Sequence, residues 1–285
     1  MKPFIKWAGG KRQLLGRLKE YFDKELKEPG AKYFEPFVGG GAVLFDLKIK
    51  NSVINDFNSE LVNTYKIVRD HPEELIQLLE IHKKNHNKEY FYKVRSQDRS
   101  KGFSSITDIA KAARTIYLNK TCFNGLYRVN LDGFFNTPIG NYINPQIYSK
   151  ENIYDVSSFL RENNIVILNT DFEEAVPNPR KGDFIYFDPP YDYENEKGFV
   201  NYNSGGFDRD DLSRLKVFCD KLINLGCNVL ISNNDTTFVR ELFNDKNYEY
   251  SYTIKDFPAN RSINSNSQLR SKSVVEVLIY GTKKI

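Results

Sequence analysis

The residues best suited to chemistry sit in one turn, Asp188-Pro189-Pro190-Tyr191, directly after the apolar run Phe184-Ile185-Tyr186-Phe187. A carboxylate beside a phenol can accept a proton and stack on a flat ring. Each proline fixes its own φ and biases the preceding residue toward an extended backbone. Because the second proline cannot continue a central strand, the turn belongs at a strand's carboxyl end, with Asp188 at the rim beside an exposed Tyr191. Open α/β sheets bind ligands at that end. Taken alone, the triplet is equally a plain strand ending.

Other polar groups also follow apolar runs. Tyr33-Phe34-Glu35-Pro36-Phe37-Val38 leads into Gly39-Gly40-Gly41 and then Ala42-Val43-Leu44-Phe45, which reads as strand, glycine loop and helix. Glycines let a ligand approach the backbone more closely than a Cβ permits. The spacing is not G-x-G-x-x-G, which argues against a dinucleotide pyrophosphate and a nicotinamide oxidoreductase. Val53-Ile54 ends in Asn55-Asp56, 15 residues past Gly41, where an acid is placed to bind ribose hydroxyls while Asn58 caps the next helix. Ile165-Val166-Ile167-Leu168 leads to Asn169-Thr170-Asp171-Phe172, another strand ending in an acid. Near the start, Trp7-Ala8-Gly9-Gly10-Lys11 precedes a helical spacing of Leu14, Leu15, Leu18 and Phe22. Free N–H groups at a helix start, with Lys11, suit an anionic group, although no Walker A loop is present.

The elements that position these groups alternate as β and α on both sides of a long insertion. From Asn58 to about Arg161 the strand pattern stops, and helices are expected around Leu61–Val68, Pro72–His82 and Ile109–Tyr117. The histidines His71, His82 and His86 form no ligand constellation. Lys88, Lys93, Arg95, Arg99 and Lys101 interleave with Tyr90, Phe91, Tyr92 and Phe103, a mixture that suits a phosphate backbone or a solvated helix face. Asn124-Gly125 and Asp132-Gly133 are hairpin signals, which predict a protruding ribbon carrying Phe123, Asn124 and Arg128. Such a ribbon fits a major groove, arginine pairs with guanine O6 and N7, and Phe123 can wedge between bases. Later, Asp208 caps a helix ended by Gly226, Val229–Asn233 forms a strand, and Phe238–Phe243 forms a helix. Tyr250–Ile254 and Val274–Tyr280 read as terminal strands around a linker carrying Arg261, Arg270 and Lys272.

Composition sets bounds on these readings. The chain has 285 residues, 40% hydrophobic and 27% charged, as a water-soluble globular protein does. A formal charge of +4 is compatible with a polyanionic partner without demanding one. No apolar run approaches the ~18 residues of a membrane span, and Met1–Trp7 lacks a signal-peptide core. Cys122, Cys219 and Cys227 are widely spaced and odd in number, which points to a reducing cytoplasm and no structural zinc. No metal is expected in the reaction.

Together, K-W-A-G-G-K, F-E-P-F-V-G-G-G, N-D, N-T-D-F and D-P-P-Y resemble the Dam-type DNA adenine-N6 methyltransferases, in that family's order and over nearly the whole chain. The resemblance implies an α/β, Rossmann-like S-adenosylmethionine-dependent methyltransferase sheet with a reversed last strand. It places a catalytic domain at residues 1–57 and 162–285. A mainly helical target-recognition domain with a β-hairpin is then inserted at residues 58–161. It implies S-adenosylmethionine against Trp7 and Lys11, with Glu35, Pro36, Phe37, Gly39, Gly40 and Gly41 around its methionine part. Asp56 would take the ribose hydroxyls, while Asp171 and Phe172 would meet the adenine. Asp188, the Pro189 carbonyl and Tyr191 would hold a flipped target adenine. Arg128 would read guanine in a G-A-T-C site of double-stranded DNA, with Asn124, Leu126, Pro138 and Tyr142 on other bases and Phe123 intercalated. A cognate restriction endonuclease acting on the same site is a further partner of such enzymes. On the residues alone, a sequence-specific DNA-binding protein with a non-catalytic cofactor fold stays open. So does a methyltransferase of cytosine N4 or RNA adenine, whereas a glutamine methyltransferase would carry Asn in place of Asp188.

Overall fold

A computed structural model of the chain describes residues 1–7, 9, 14–194, 206–244, 249–259 and 274–284. Lys11 and the basic linker at 260–273 fall outside the described residues. Strands β1 (Tyr33–Glu35), β2 (Ser52–Asn55), β3 (Ile165–Leu168), β4 (Phe184–Phe187), β5 (Asn228–Asn234), β6 (Tyr250–Ala259) and β7 (Val274–Lys283) join in one sheet. Their order is β3-β2-β1-β4-β5-β7-β6. Neighbours from β3 through β5 pair parallel, whereas β7 runs antiparallel to both β5 and β6. The expected seven-stranded methyltransferase-type sheet with a reversed last strand is therefore present. Strand order changes direction between β1 and β4, and a crevice opens at such a switch point.

The sequence builds β4 from Phe184, Ile185, Tyr186 and Phe187, all fully buried. Phe184 and Tyr186 pack on one sheet face, and Ile185 and Phe187 on the other, as the period of two requires. Burying each contributes on the order of 1.5–3 kcal/mol, which fixes the strand's register and so the position of Asp188 at its end. Helices α8 (Arg209–Asn224) and α9 (Thr237–Phe243) cover the Phe187 face. Helices α1 (Leu15–Glu25) and α2 (Ala42–Leu47) cover the other, continuous with the insertion helices α3 (Ser59–Asp70), α4 (Pro72–Lys84), α5 (Lys88–Arg95), α6 (Asp108–Thr121) and α7 (Lys150–Glu162). Asn58 caps α3, Pro72 opens α4, and Asp208 forms a capping box on α8, each as the sequence predicts.

Two helices lie outside the three expected spans. The basic and aromatic stretch is helix α5, whose cap Asn87 accepts from the Tyr90 N–H. Its apolar residues Phe91 and Val94 face the core. Helix α7, capped by Ser149, buries Ile153, Val156, Phe159 and Leu160 at helical spacing. All three cysteines are free and buried.

Candidate active site

The carboxyl ends of β1 to β5 bring most of the predicted residues to one edge. In the parallel pairing of β4 with β5, Phe187 lies opposite Ile231, so Asp188 meets Ser232. The Ser232 hydroxyl donates to Asp188 Oδ1 at 2.6 Å and stands 3.0 Å from the Tyr186 phenol, both Ser232 and Tyr186 being fully buried. Pro189 is buried and Pro190 exposed. Tyr191 is not the exposed residue expected at the rim. It is half-buried, its OH donates to Glu276 Oε2 of reversed strand β7 at 3.3 Å, and burial raises its phenol well above the ordinary range.

The next residue locks the turn from behind. Asp192 is wholly buried and pairs with Arg209 at 2.9 Å, while the Thr236 hydroxyl donates to its other oxygen at 2.6 Å. Its N–H donates to Asn233 Oδ1 at 2.9 Å and its carbonyl accepts from the Asn234 amide. A buried charge is tolerable only when paired and hydrogen-bonded in this way.

Glu35 ends β1 fully buried, accepting from the Tyr33 OH at 2.9 Å. Burial, with the nearby Asp188 charge, pushes its carboxyl up to about 8 against the lowering effect of Tyr33. Asp56, past β2, accepts from the Gly39 N–H at 3.1 Å and the Asn58 N–H at 2.9 Å. Burial still raises it to about 6. The Asn55 side chain stitches three strand ends, donating to the Pro36 and Thr170 carbonyls and accepting from the Thr170 N–H.

Asp171 does not present a vacant carboxylate. Arg214 grips both its oxygens at 2.9 Å and lies 4.2 Å over the Phe172 ring. Burial opposes ionisation there, but the arginine prevails and holds Asp171 below the ordinary carboxylate range. Phe172 is buried and stacks on Phe37 at 5.8 Å.

The glycines serve the protein's own packing. A Cβ on Gly39, at φ 49°, would come within 2.8 Å of the Trp7 ring, and one on Gly41, at φ 70°, within 2.6 Å of the Tyr65 hydroxyl. A Cβ on Gly40 would lie 3.2 Å from Trp7. The close approach they permit is that of Trp7 and Tyr65, a use the motif alone did not reveal.

The ribbon after α6 is shorter than expected and folds at one of its two signals. Val129 bridges Phe135, and Asn130 bonds Phe134, around the Asp132-Gly133 tip. Asn124-Gly125 also turns tightly, with φ 55° and 66°, but Cys122 there pairs with Ile139 rather than across the turn. Tertiary pairing with the returning strand overrides the local hairpin signal. Phe123, Asn124, Arg128, Pro138 and Tyr142 are exposed and Leu126 is half-buried. Arg128 Nε donates to Asn136 Oδ1 at 2.7 Å, which orients its guanidinium. Arg95 and Arg99, read as phosphate contacts or a solvated face, instead donate to the carbonyls of Asn136, Thr137 and Phe135 and support the ribbon. Beneath them buried Arg114 pairs with Asp98 at 2.7 Å.

Ser232, Tyr186, Asp192, Arg209 and Arg214 escaped sequence reasoning. The S-N-N ending of β5 was visible as a polar strand end, but only strand order places it beside Asp188. Among the described residues no group of three His, Cys, Asp or Glu could hold a metal ion, and no helix is long and apolar enough to cross a membrane.

The family model for D12 class N6 adenine-specific DNA methyltransferase matches residues 7–262. The chain is 40% identical over 280 residues to the Type II methyltransferase M1.LlaDCHI of Lactococcus lactis subsp. cremoris, spanning 98% of this chain and 95% of that one. It is 40% identical over 293 residues to the Type II methyltransferase M.MjaIII of Methanocaldococcus jannaschii, spanning 98% of each. Against the DNA adenine methylase of Salmonella typhimurium identity is 30% over 275 residues, 95% of this chain and 92% of that one.

Proposed function

We propose, since this chain belongs to the D12 class N6 adenine-specific DNA methyltransferase family, that it methylates N6 of a flipped adenine within G-A-T-C in duplex DNA, using S-adenosylmethionine. The observation that carries the reading is Asp188 at the carboxyl end of β4, beside the switch in strand order, held by Ser232 at 2.6 Å. Residues 58–161 form the target-reading part, and residues 1–57 with 162–285 the catalytic part.

The adenine amine is a poor nucleophile because its lone pair is conjugated into the ring. Asp188 and the Pro189 carbonyl accept its two N–H bonds, which favours a more tetrahedral nitrogen and offsets its growing positive charge. Ser232 fixes the rotation of the Asp188 carboxylate, and the Asp192 lock fixes the turn, so both acceptors are in place beforehand. A stacked base cannot reach a half-buried carboxylate, so the adenine must leave the duplex, with Tyr191 against its face. The donor set suits the cofactor: the Asp56 carboxylate for ribose hydroxyls, and Trp7, Phe37 and Phe172 as apolar walls. When bound, S-adenosylmethionine supplies a sulfonium-activated methyl group. Glu35, Pro36 and the glycines are assigned to its methionine part, and Lys11, outside the described residues, is assigned as a further contact. Asp171 meets the cofactor adenine while Arg214 holds the carboxylate ionised. On the DNA side Arg128 reads guanine, Asn124, Leu126, Pro138 and Tyr142 touch other bases, and Phe123 intercalates.

Two relatives are named Type II methyltransferases, which supports a restriction endonuclease that shares the site. Buried free thiols and a DNA substrate suit the cytoplasm. The test is transfer of labelled methyl groups from S-adenosylmethionine to duplexes with one base of G-A-T-C changed at a time. Labelling of the G-A-T-C duplex at adenine N6, abolished by Asp188→Ala, is expected. Equal labelling of all duplexes, or full activity in Asp188→Ala, would defeat the reading.

A further inference from the structure

The segment Lys6-Trp7 touches two parts of the molecule that the proposed reaction uses separately. Trp7 lies against Gly39 and Gly40, on the cofactor side of the crevice. Its ring also stacks on Tyr127, with centroids 5.2 Å apart and planes at 28°. Tyr127 sits in the ribbon between Leu126 and Arg128. The same ring meets Phe135, on the returning side of the ribbon, edge-on at 5.7 Å, and its OH donates to Glu60 of α3 at 3.3 Å.

A second contact joins the same two parts. The Asn119 side chain accepts from the Lys6 N–H at 2.8 Å and donates to the Lys6 carbonyl at 2.7 Å. Its amide also donates to the Gly125 carbonyl at 2.9 Å, and a Cβ on Gly125 would strike the Lys6 side chain. The start of the chain is thus keyed to the root of the ribbon by an amide clamp and a stacked aromatic pair.

We propose that Tyr127 is a positioning residue that couples cofactor binding to DNA reading, by making the placement of Trp7 and the placement of the ribbon one packing event. The inference rests on the methyl-transfer reading above. A ligand that settles Trp7 against the glycine loop also settles the Tyr127 ring, and with it the neighbouring Arg128. By linkage, DNA that seats the ribbon must tighten the cofactor side by the same factor. An aromatic pair of this kind supports a coupling factor of about 2- to 10-fold.

The experiment measures S-adenosylhomocysteine binding to the full chain by calorimetry, with and without a saturating G-A-T-C duplex. The wild type is expected to bind about 2- to 10-fold tighter with DNA. Tyr127→Phe, which keeps the ring, retains that factor. Tyr127→Leu lowers it to about 1 while each ligand alone binds within about twofold of wild type. A merely structural role would instead weaken both ligands and leave the factor unchanged, and that result overturns the proposal. A wild-type factor of one overturns it as well. Trp7 is the only tryptophan, so its emission gives a readout even where Tyr127→Leu does not fold. Duplex without cofactor should shift that emission in the wild type and in Tyr127→Phe, and a flat signal in both sinks the idea. A chain that binds no S-adenosylhomocysteine and methylates nothing sinks the methyl-transfer reading too, whereas normal methylation without coupling removes only this inference.

Discussion

Removing one hydroxyl, in Ser232→Ala, isolates what holds the carboxylate of the D-P-P-Y turn. Ser232 donates to Asp188 Oδ1 at 2.6 Å and is bonded to the Tyr186 phenol at 3.0 Å, with Ser232 and Tyr186 wholly buried. Two costs follow. A hydrogen bond to a charged group is worth about 1.5–3 kcal/mol, and if Asp188 must be oriented in the transition state, the methyl-transfer rate constant should fall roughly 10- to 100-fold. The stranded phenol costs about 1–3 kcal/mol of stability, since a buried donor has lost its partner. The assay is single-turnover methylation of a G-A-T-C duplex, alongside urea unfolding. The double variant Ser232→Ala/Tyr186→Phe separates the two costs, because removing both partners restores stability without restoring the rate. A folded Ser232→Ala enzyme with the wild-type single-turnover rate would refute the reasoning. So would a double variant that regains both.

Three further outcomes follow from the same edge. Glu35 has its carboxyl raised to about 8, so its stabilising effect is full below the usual glutamate range and is lost as pH rises through about 8. Glu35→Gln keeps an acceptor for the Tyr33 hydroxyl and should unfold at higher urea than wild type above about pH 8, with the difference shrinking toward about pH 5. Asp56, raised to about 6, should bind ribose hydroxyls best when ionised, so S-adenosylhomocysteine affinity should fall as pH drops through about 6, and Asp56→Asn should flatten that profile in calorimetry. Asp192→Ala leaves Arg209 and the Thr236 hydroxyl without their shared partner, and should lower unfolding free energy by about 2–4 kcal/mol, measured by urea titration.

Much of the frame was legible because its signals are local. Four apolar residues before Asp188, the Asn58 cap and the Asp208 capping box each depend on a few neighbouring residues, and each lies where the pattern puts it. What local pattern hid was partnership across the sheet. Tyr191 looked exposed because it follows two prolines, yet Glu276 arrives beside it on a strand 85 residues later. Arg95 and Arg99 looked like candidates for a polyanion, since nothing in their neighbourhood shows the ribbon carbonyls they bind. Helix α7 was different, because its cap Ser149 and the spacing of Ile153, Val156, Phe159 and Leu160 were there to be read. The glycine loop carries a packing role that its motif does not announce. A vacancy for a ligand and a vacancy for Trp7 look identical in sequence.

The buried thiols have a use at the bench. Burial pushes Cys122 and Cys227 up to about 12 and raises Cys219 well above its ordinary range, so almost no thiolate exists at neutral pH. To a maleimide dye the folded chain is therefore nearly blank. Leu131, at the ribbon tip, is 96% exposed, and a cysteine placed there would take the dye almost alone. With Trp7 as the single indole at the ribbon's root, that pair makes an optical ruler along the ribbon, and native cysteines need not be removed to install it.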